Sequence, residues 1–362
     1  MNQNYIFTSE SVSEGHPDKV ADQISDALVD AGLAAGDETT RVAIETLVTT
    51  NHVTLAGEVK NFNVSKEEVK DIVRNTVKKI GYEQERFHWD KLNIYNEIHS
   101  QSADIALGTD DFGAGDQGIM FGYACNDNDS YLPAPIYYAH GILKDLNEER
   151  KITNILGPDA KSQVSVQYDG GRVQRIDQVV ISTQHTEGNI ELARELAKHS
   201  AINVLGDLID NNTVWHLNPT GNFVIGGPDG DTGLTGRKII VDTYGGFAPH
   251  GGGAFSGKDP TKVDRSAAYM ARWLAKNVVA DNMADWCNIQ LSYAIGVKEP
   301  TSIYVESNGY SKSIERFIRK EIDLSPRGII DRFDLFNYNK YSNNCVYGHF
   351  GNKDVPWEKI GW

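Results

Sequence analysis

Two short segments gather opposite charges in a way that suits a polyphosphate. In the first, Ser13-Glu14-Gly15-His16-Pro17-Asp18-Lys19, the proline suits the first position of a helix. His16 then falls at the cap, with Asp18 and Lys19 in the first turn. An imidazolium there can meet a phosphate, and a carboxylate there can hold magnesium. An Asp18 that merely complements the helix dipole, beside a turn histidine, would use the same residues. In the second segment, Gly252-Gly-Ala-Phe-Ser-Gly257-Lys258 runs into Asp259-Pro260, followed by Lys262, Asp264 and Arg265. Asp259 is read as a helix cap and Pro260 as the first helical position. Three cations then crowd a helix start, each opposing the macrodipole by roughly 0.3–1 kcal/mol. A bound polyphosphate accounts for this, with a solvated charged face as the alternative. Arg237-Lys238 adds two cations directly after the glycine-rich run from Gly226 to Gly236. Because Mg²⁺ commonly takes one or two carboxylates plus substrate phosphates, Asp18 and Asp264 are its candidate ligands.

Two glycine motifs need to be separated from this reading. Gly113-Ala-Gly115-Asp-Gln-Gly118 fits the dinucleotide pattern, but Thr109–Phe112 before it is no buried strand, and Ile119–Tyr123 after it looks extended rather than helical. A Rossmann reading is rejected. Gly252–Lys258 fits G-x-x-x-x-G-K, yet Asp259 stands where a phosphate loop has Ser or Thr. It is not a standard P-loop, although backbone amides and a lysine can still cradle phosphate.

The elements that must position these residues repeat a pattern. A helical stripe (Val20, Ile24, Ala27, Leu28, Ala31) precedes two strands, Arg41–Val48 and His52–Val59, and a capping box at Ser65 and Glu68 opens a helix ending at Gly81. The same order recurs as Pro135–Leu146, strands Ser162–Tyr168 and Val173–Thr183 about Asp169-Gly-Gly171, and a helix over Asn189–Ile209. It recurs again as the Val263–Val278 stripe, strands Asn288–Val297 and Thr301–Glu306, and a helix over Ser313–Ile322. Lys238–Thr243 reads as a further strand. The fold class expected is α+β, with three similar helix–hairpin–helix domains, each a sheet with helices on one face. The domains are drawn at 1–102, 119–225 and 226–362, with a loop and the first glycine motif at 103–118.

Bulk composition excludes several classes. The 362 residues are 40% hydrophobic and 23% charged, as in ordinary globular proteins. A net charge of −15 argues against nucleic acid and anionic membranes as partners. No apolar run approaches the roughly 20 residues of a membrane helix, and Met1–Tyr5 lacks signal-peptide character. Three scattered cysteines form neither a disulfide framework nor a zinc site, and suggest thiols in the cytoplasm.

Gly15-His-Pro-Asp-Lys19, Gly113–Gly118, Asp159-Ala-Lys161 and Gly251-Gly-Gly-Ala-Phe-Ser-Gly-Lys-Asp259 resemble the signatures of the S-adenosylmethionine synthetase (methionine adenosyltransferase) family, and the resemblance runs from Phe7–Ser13 to Tyr347–Gly351. It implies three α+β domains about a pseudo-threefold axis. It implies an enzyme that transfers the adenosyl group of ATP to the sulfur of L-methionine and hydrolyses the displaced tripolyphosphate to phosphate and pyrophosphate. It further implies Mg²⁺ (two per site), one K⁺, and a homodimer or homotetramer with active sites between subunits. By the same resemblance His16, Lys161, Arg237, Lys238, Lys258 and Lys262 face the ATP phosphates, with Lys262 also near methionine. Asp18 and Asp264 match the magnesium ligands and Glu45 the potassium ligand. Glu58, Gln101 and Asp231 match methionine positions. Asp116, Asp159, Phe223 and Ala254 match the nucleoside pocket, Phe223 packing on adenine.

Three features depart from the family pattern. Asn222 stands where the family usually has Arg, the segment 101–113 is short for the flexible loop over the active site, and the sequence stops soon after Pro356–Lys359. Two alternatives to a working synthetase are an ATP or polyphosphate hydrolase that uses the same cationic site without methionine, and a non-catalytic homologue that binds an active partner, which the short loop and Asn222 would suit.

Overall fold

The computed structural model describes residues 4–101 and 113–362. The chain opens on β1 (Tyr5–Val12) and α1 (Pro17–Ala35). Val20, Ile24 and Leu28 turn one face of α1 into the core, each burial worth about 1.5–3 kcal/mol. β2 (Arg41–Thr49) and β3 (His52–Lys60) pair antiparallel, Arg41 opposite Lys60. α2 (Lys66–Ile80) carries the expected capping box and stops where Gly81 turns left-handed at φ 100°. The two-residue pair β4 (Glu83–Gln84) and β5 (Phe87–His88) leads to β6 (Asn93–Ser100), parallel to β3. Beyond the undescribed stretch come β7 (Gly118–Cys125), α3 (Ala134–Thr153), β8 (Leu156–Asp169), β9 (Arg172–His185), α4 (Ile190–Leu205) and β10 (Val214–Leu217). The chain continues with β11 (Gly233–Leu234), α5 (Ile239–Asp242), α6 (Val263–Ala280), β12 (Trp286–Tyr293), β13 (Ser302–Ser307), α7 (Ser311–Glu321) and α8 (Pro326–Phe333).

Among the described residues the main sheets run β11-β2-β3-β6, β1-β8-β9-β10 and β7-β12-β13. Each hairpin therefore takes an outer strand from elsewhere in the chain. The N-terminal β1 joins β8, β7 joins β12 across the register Gly118↔Tyr293, and β11 joins β2. The exchange is cyclic, and it stitches the hairpins together through backbone hydrogen bonds. Ile119–Tyr123, extended in the sequence reading, lies within β7, whereas the sequence reading places no strand at β1 or β11.

Several expectations need correction. Lys238–Thr243 is no strand: α5 is one helical turn capped at Lys238. Asp259 and Pro260 do not open the third helix. α6 starts at Val263 with Lys262 in the cap position and no side-chain cap, because Asp259 is spent on holding the loop to β2. The fourth helix ends at Leu205 and continues as a 3-10 turn over Gly206–Leu208. The loop drawn at 103–118 lies outside the described residues as far as 112. From Gly113 onward the glycine motif enters β7 and no helix, so a Rossmann turn is absent there.

Helix α6 is buried almost all round, including Arg265, Arg272 and Lys276. A cation in such surroundings needs a partner. Arg265 binds both oxygens of the fully buried Asp26 at 2.7 and 2.6 Å, and Arg272 and Lys276 share Glu358 near the C-terminus. Arg265 is thus removed from the group of cations facing a substrate.

Candidate active site

The glycine-rich segment is sewn onto β2. Ile44 N–H donates to Gly257 O at 2.9 Å, Asp259 N–H to Val42 O at 3.0 Å, and Val42 N–H to Asp259 Oδ2 at 2.7 Å. Gly257 sits at φ 83° with Ile44 O only 2.1 Å from where a Cβ would stand, so only glycine fits. Its amide donates to Asp26 at 2.9 Å, and that of Gly252 donates to His250 at 2.7 Å. These two amides are taken within the chain, and the loop presents the side chain of Lys258 next to Gly257.

Lys258 Nζ bonds Asp264 Oδ2 at 2.6 Å, both side chains a little over a quarter exposed (26% and 29%). Lys262 binds the buried Asp259 at 2.7 Å. Burial alone would raise the Asp259 carboxyl, but Lys262 and the donors around it hold it below the usual range. At the start of α1, Asp18 Oδ2 accepts from Lys238 at 2.6 Å, Asp18 Oδ1 accepts from Leu234 N–H at 3.0 Å, and Arg237 lies 3.8 Å away. The Asp18 side chain is only 4% exposed. Burial pushes its pKa up, yet the Lys238 and Leu234 hydrogen bonds win and pull it down.

His16 caps α1 as expected: its Nδ1 accepts from Asp18 N–H at 3.2 Å. That bond assigns the proton to Nε2. Burial, then the nearby Lys238 ammonium, lowers its pKa to about 3. His16 is therefore a neutral hydrogen-bond donor and not the imidazolium expected. Lys19, next along, is fully buried.

Glu45, Glu58, Ala254 and Lys258 line one cavity of about 320 Å³ together with Thr235 and Ser256. Ser256, one residue of the glycine-rich motif, lines this cavity, and its buried Oγ has no hydrogen-bond partner among the described residues. Arg237 and Lys238 line a second cavity of about 400 Å³. Glu58 also faces His99, at 3.5 Å. Lys161 is exposed on β8, opposite Val12 of β1. Asp159 Oδ2 accepts from Gly227 N–H at 2.8 Å, while its Oδ1 is buried without a partner among the described residues, and burial pushes its pKa up to about 6.

The remaining candidates are less tightly drawn in. Phe223 O accepts from His185 N–H at 2.9 Å, and Phe223 N–H donates to the His185 ring nitrogen Nε2 at 3.1 Å. Asp231 and Asp116 are exposed, each accepting from the next residue's amide. Gln101 N–H bonds Val59 O at 2.9 Å, and its Oε1 is buried without a partner among the described residues. No group of three or more metal-binding side chains occurs among the described residues.

Models described as the N-terminal, central and C-terminal domains of S-adenosylmethionine synthetase match residues 4–103, 111–223 and 225–359. The S-adenosylmethionine synthase of Parvibaculum lavamentivorans is 56% identical over 378 residues, 98% of this chain and 96% of the relative. The chain belongs to the S-adenosylmethionine synthetase family. The synthases of Rhodospirillum centenum (55% identical, covering 98% of this chain and 96% of the relative) and Paramagnetospirillum magneticum (56%, covering 99% and 96%) agree. Three-domain, mixed α+β architecture follows from that membership. The aligned length of 378 against a chain of 362 residues means that the Parvibaculum relative carries insertions this chain lacks.

Proposed function

We propose that this chain makes S-adenosylmethionine from ATP and L-methionine, in the cleft between β2 and the segment from Gly233 to Asp264. Family membership over nearly the whole length carries this reading. The chain is an enzyme of methionine adenosyltransferase type. The methionine sulfur, already an unprotonated nucleophile, attacks C5′ of ATP. The S–C5′ bond forms as the C5′–O bond breaks, and the electron pair leaves with the tripolyphosphate, which water then splits into phosphate and pyrophosphate. No general base is required. Positioning can supply up to roughly 7–11 kcal/mol, and cations stabilise the departing charge.

His16 through Nε2, with Lys161, Arg237, Lys238, Lys258 and Lys262, serves the phosphates in this reading. Their crowding around buried or half-buried carboxylates, in a chain of net charge −15, supports it. Asp116, Asp159, Phe223 and Ala254 serve the nucleoside, and Glu58, Gln101 and Asp231 serve methionine, where carboxylates suit a sulfonium product. Asp18 and Asp264 fit magnesium, since isolated carboxylates need phosphate oxygens to complete the shell. Two bound Mg²⁺ would neutralise the triphosphate. Glu45 fits potassium, with the unpartnered Ser256 Oγ in the same cavity as a further oxygen donor.

The three domains are read as related about a pseudo-threefold axis and divided at 1–102, 103–118, 119–225 and 226–362, a reading the cyclic strand exchange supports. We take the enzyme to work as a homodimer or homotetramer with sites between subunits. Leu47 and Tyr95, 37% and 52% exposed on strands of the Glu45 sheet, leave apolar surface for a second copy. The compartment is taken as the cytoplasm; no described helix is long and apolar enough to cross a membrane.

Mass-spectrometric detection of S-adenosylmethionine from ATP, methionine, Mg²⁺ and K⁺ tests the proposal, with phosphate and pyrophosphate counted alongside. Equal yields of the three support it. Phosphate without S-adenosylmethionine would replace it with a hydrolase, and no turnover would leave a non-catalytic homologue.

A further inference from the structure

Lys19 is adjacent to Asp18 in the first turn of α1, but its ammonium is buried in the core. All three of its donors are used. Nζ bonds Asp22 Oδ2 at 2.9 Å, Cys345 O at 2.7 Å, and Asp242. Asp22 accepts in turn from Gly236 N–H at 2.8 Å. Asp242 closes the single turn of α5, where its own N–H bonds Lys238 O at 2.9 Å. The segment from Gly236 to Asp242 is therefore gripped at both ends by carboxylates that meet on one lysine. Between the grips stand Arg237 and Lys238.

We propose that Lys19 is a positioning residue for the polyphosphate: it locks the Gly236–Asp242 segment to α1, so that Lys238 and Arg237 face the cleft in register with Asp18. A four-residue helix has no stability of its own, because nucleation costs more than one turn returns. Its placement must come from outside, and the Lys19 clamp supplies it. Two carboxylates around one ammonium also explain why a residue beside a cleft-lining aspartate points inward. Without Lys19 they would repel each other in a buried setting.

The inference rests on the reading of Arg237 and Lys238 as phosphate contacts. Inorganic tripolyphosphate binding, measured by calorimetry with Mg²⁺ on the full-length enzyme, separates the two. Lys19→Met removes the clamp. Asp242→Asn keeps an oxygen acceptor for Lys19 while weakening one grip. Both variants are expected to weaken tripolyphosphate binding about tenfold and raise the KM for ATP, with the KM for methionine within about twofold of the parent. A merely structural role would lower the folded fraction and leave both KM values alone. If Lys19→Met does not fold, the Asp242→Asn measurement decides. Folded variants with parental tripolyphosphate affinity, or with both KM values shifted alike, would overturn the clamp. A parent enzyme that does not bind tripolyphosphate would overturn the phosphate reading itself, and the clamp with it.

Discussion

The starts of α1 and α6 each present an aspartate bonded to a lysine at 2.6 Å, and they are built in opposite ways. At α1 the helix is capped by His16, Asp18 takes a second bond from Leu234 N–H, and the carboxylate is buried. At α6 no side chain caps the helix, and Lys258 and Asp264 are each a little over a quarter exposed. The same pair of residue types is a fixed structural unit in one place and an adjustable one in the other. A buried ion pair costs several kcal/mol to break from one side, whereas an exposed pair contributes about 0–1 kcal/mol. Stability and activity should therefore separate at α6 and move together at α1.

The largest effect is expected at the open end. Lys258→Ala should lower kcat/KM by about 10²–10³, the usual consequence of removing one donor to a developing anion. It should cost less than about 1 kcal/mol of stability. Near-parental turnover by this folded variant would remove Lys258 from the mechanism.

Asp18→Asn and Asp264→Asn test the contrast itself. Both should impair turnover. Only Asp18→Asn should also destabilise, by about 1–3 kcal/mol, because it strips the charge from a buried hydrogen-bonded group. Equal melting temperatures for the two variants would mean that the starts of α1 and α6 do not differ as described.

Gly253→Ala probes how much freedom the open pair has. A Cβ there would stand 2.4 Å from Asp264 Oδ1. The carboxylate must shift, and kcat/KM should fall about tenfold, or about 1.4 kcal/mol. An unchanged rate would show that Asp264 is free to move without consequence.

Asp159 sharpens the comparison by removing the cation. It is as buried as Asp18, yet its bonded donor is the Gly227 amide rather than an ammonium, and its pKa goes up to about 6 instead of down. A raised carboxyl is favoured protonated in the folded state. Its stabilising contribution is present below pH 4 and is lost as pH rises through 6. Across pH 4 to 6, melting temperature should fall in the parent relative to Asp159→Asn. Parallel pH curves for the two proteins would contradict the burial argument.

Much of this arrangement was legible in residue order. The caps at His16 and Ser65, the hairpins, and the cation–carboxylate pairing at two glycine-flanked sites depend on short-range rules of turn, cap and period. The errors share one cause. Asp259 resembles a cap and Lys238–Thr243 resembles a strand because local propensity is the only guide before the chain folds. Each was overruled by a distant partner: Val42 for Asp259, and the Lys19–Asp242 contact for α5. Ser256 gave no signal at all, since an unpartnered hydroxyl becomes unusual only once its surroundings are known.

Residue order thus determined which side chains were available for phosphate, magnesium and methionine, and which local turns would carry them, because those preferences act within a few residues. Tertiary structure alone decided their charge and direction. Burial beside Lys238 made His16 neutral, pairing with Asp26 withdrew Arg265, and two core carboxylates turned Lys19 inward. Each outcome depends on dielectric and on partners hundreds of residues away, which no local pattern contains.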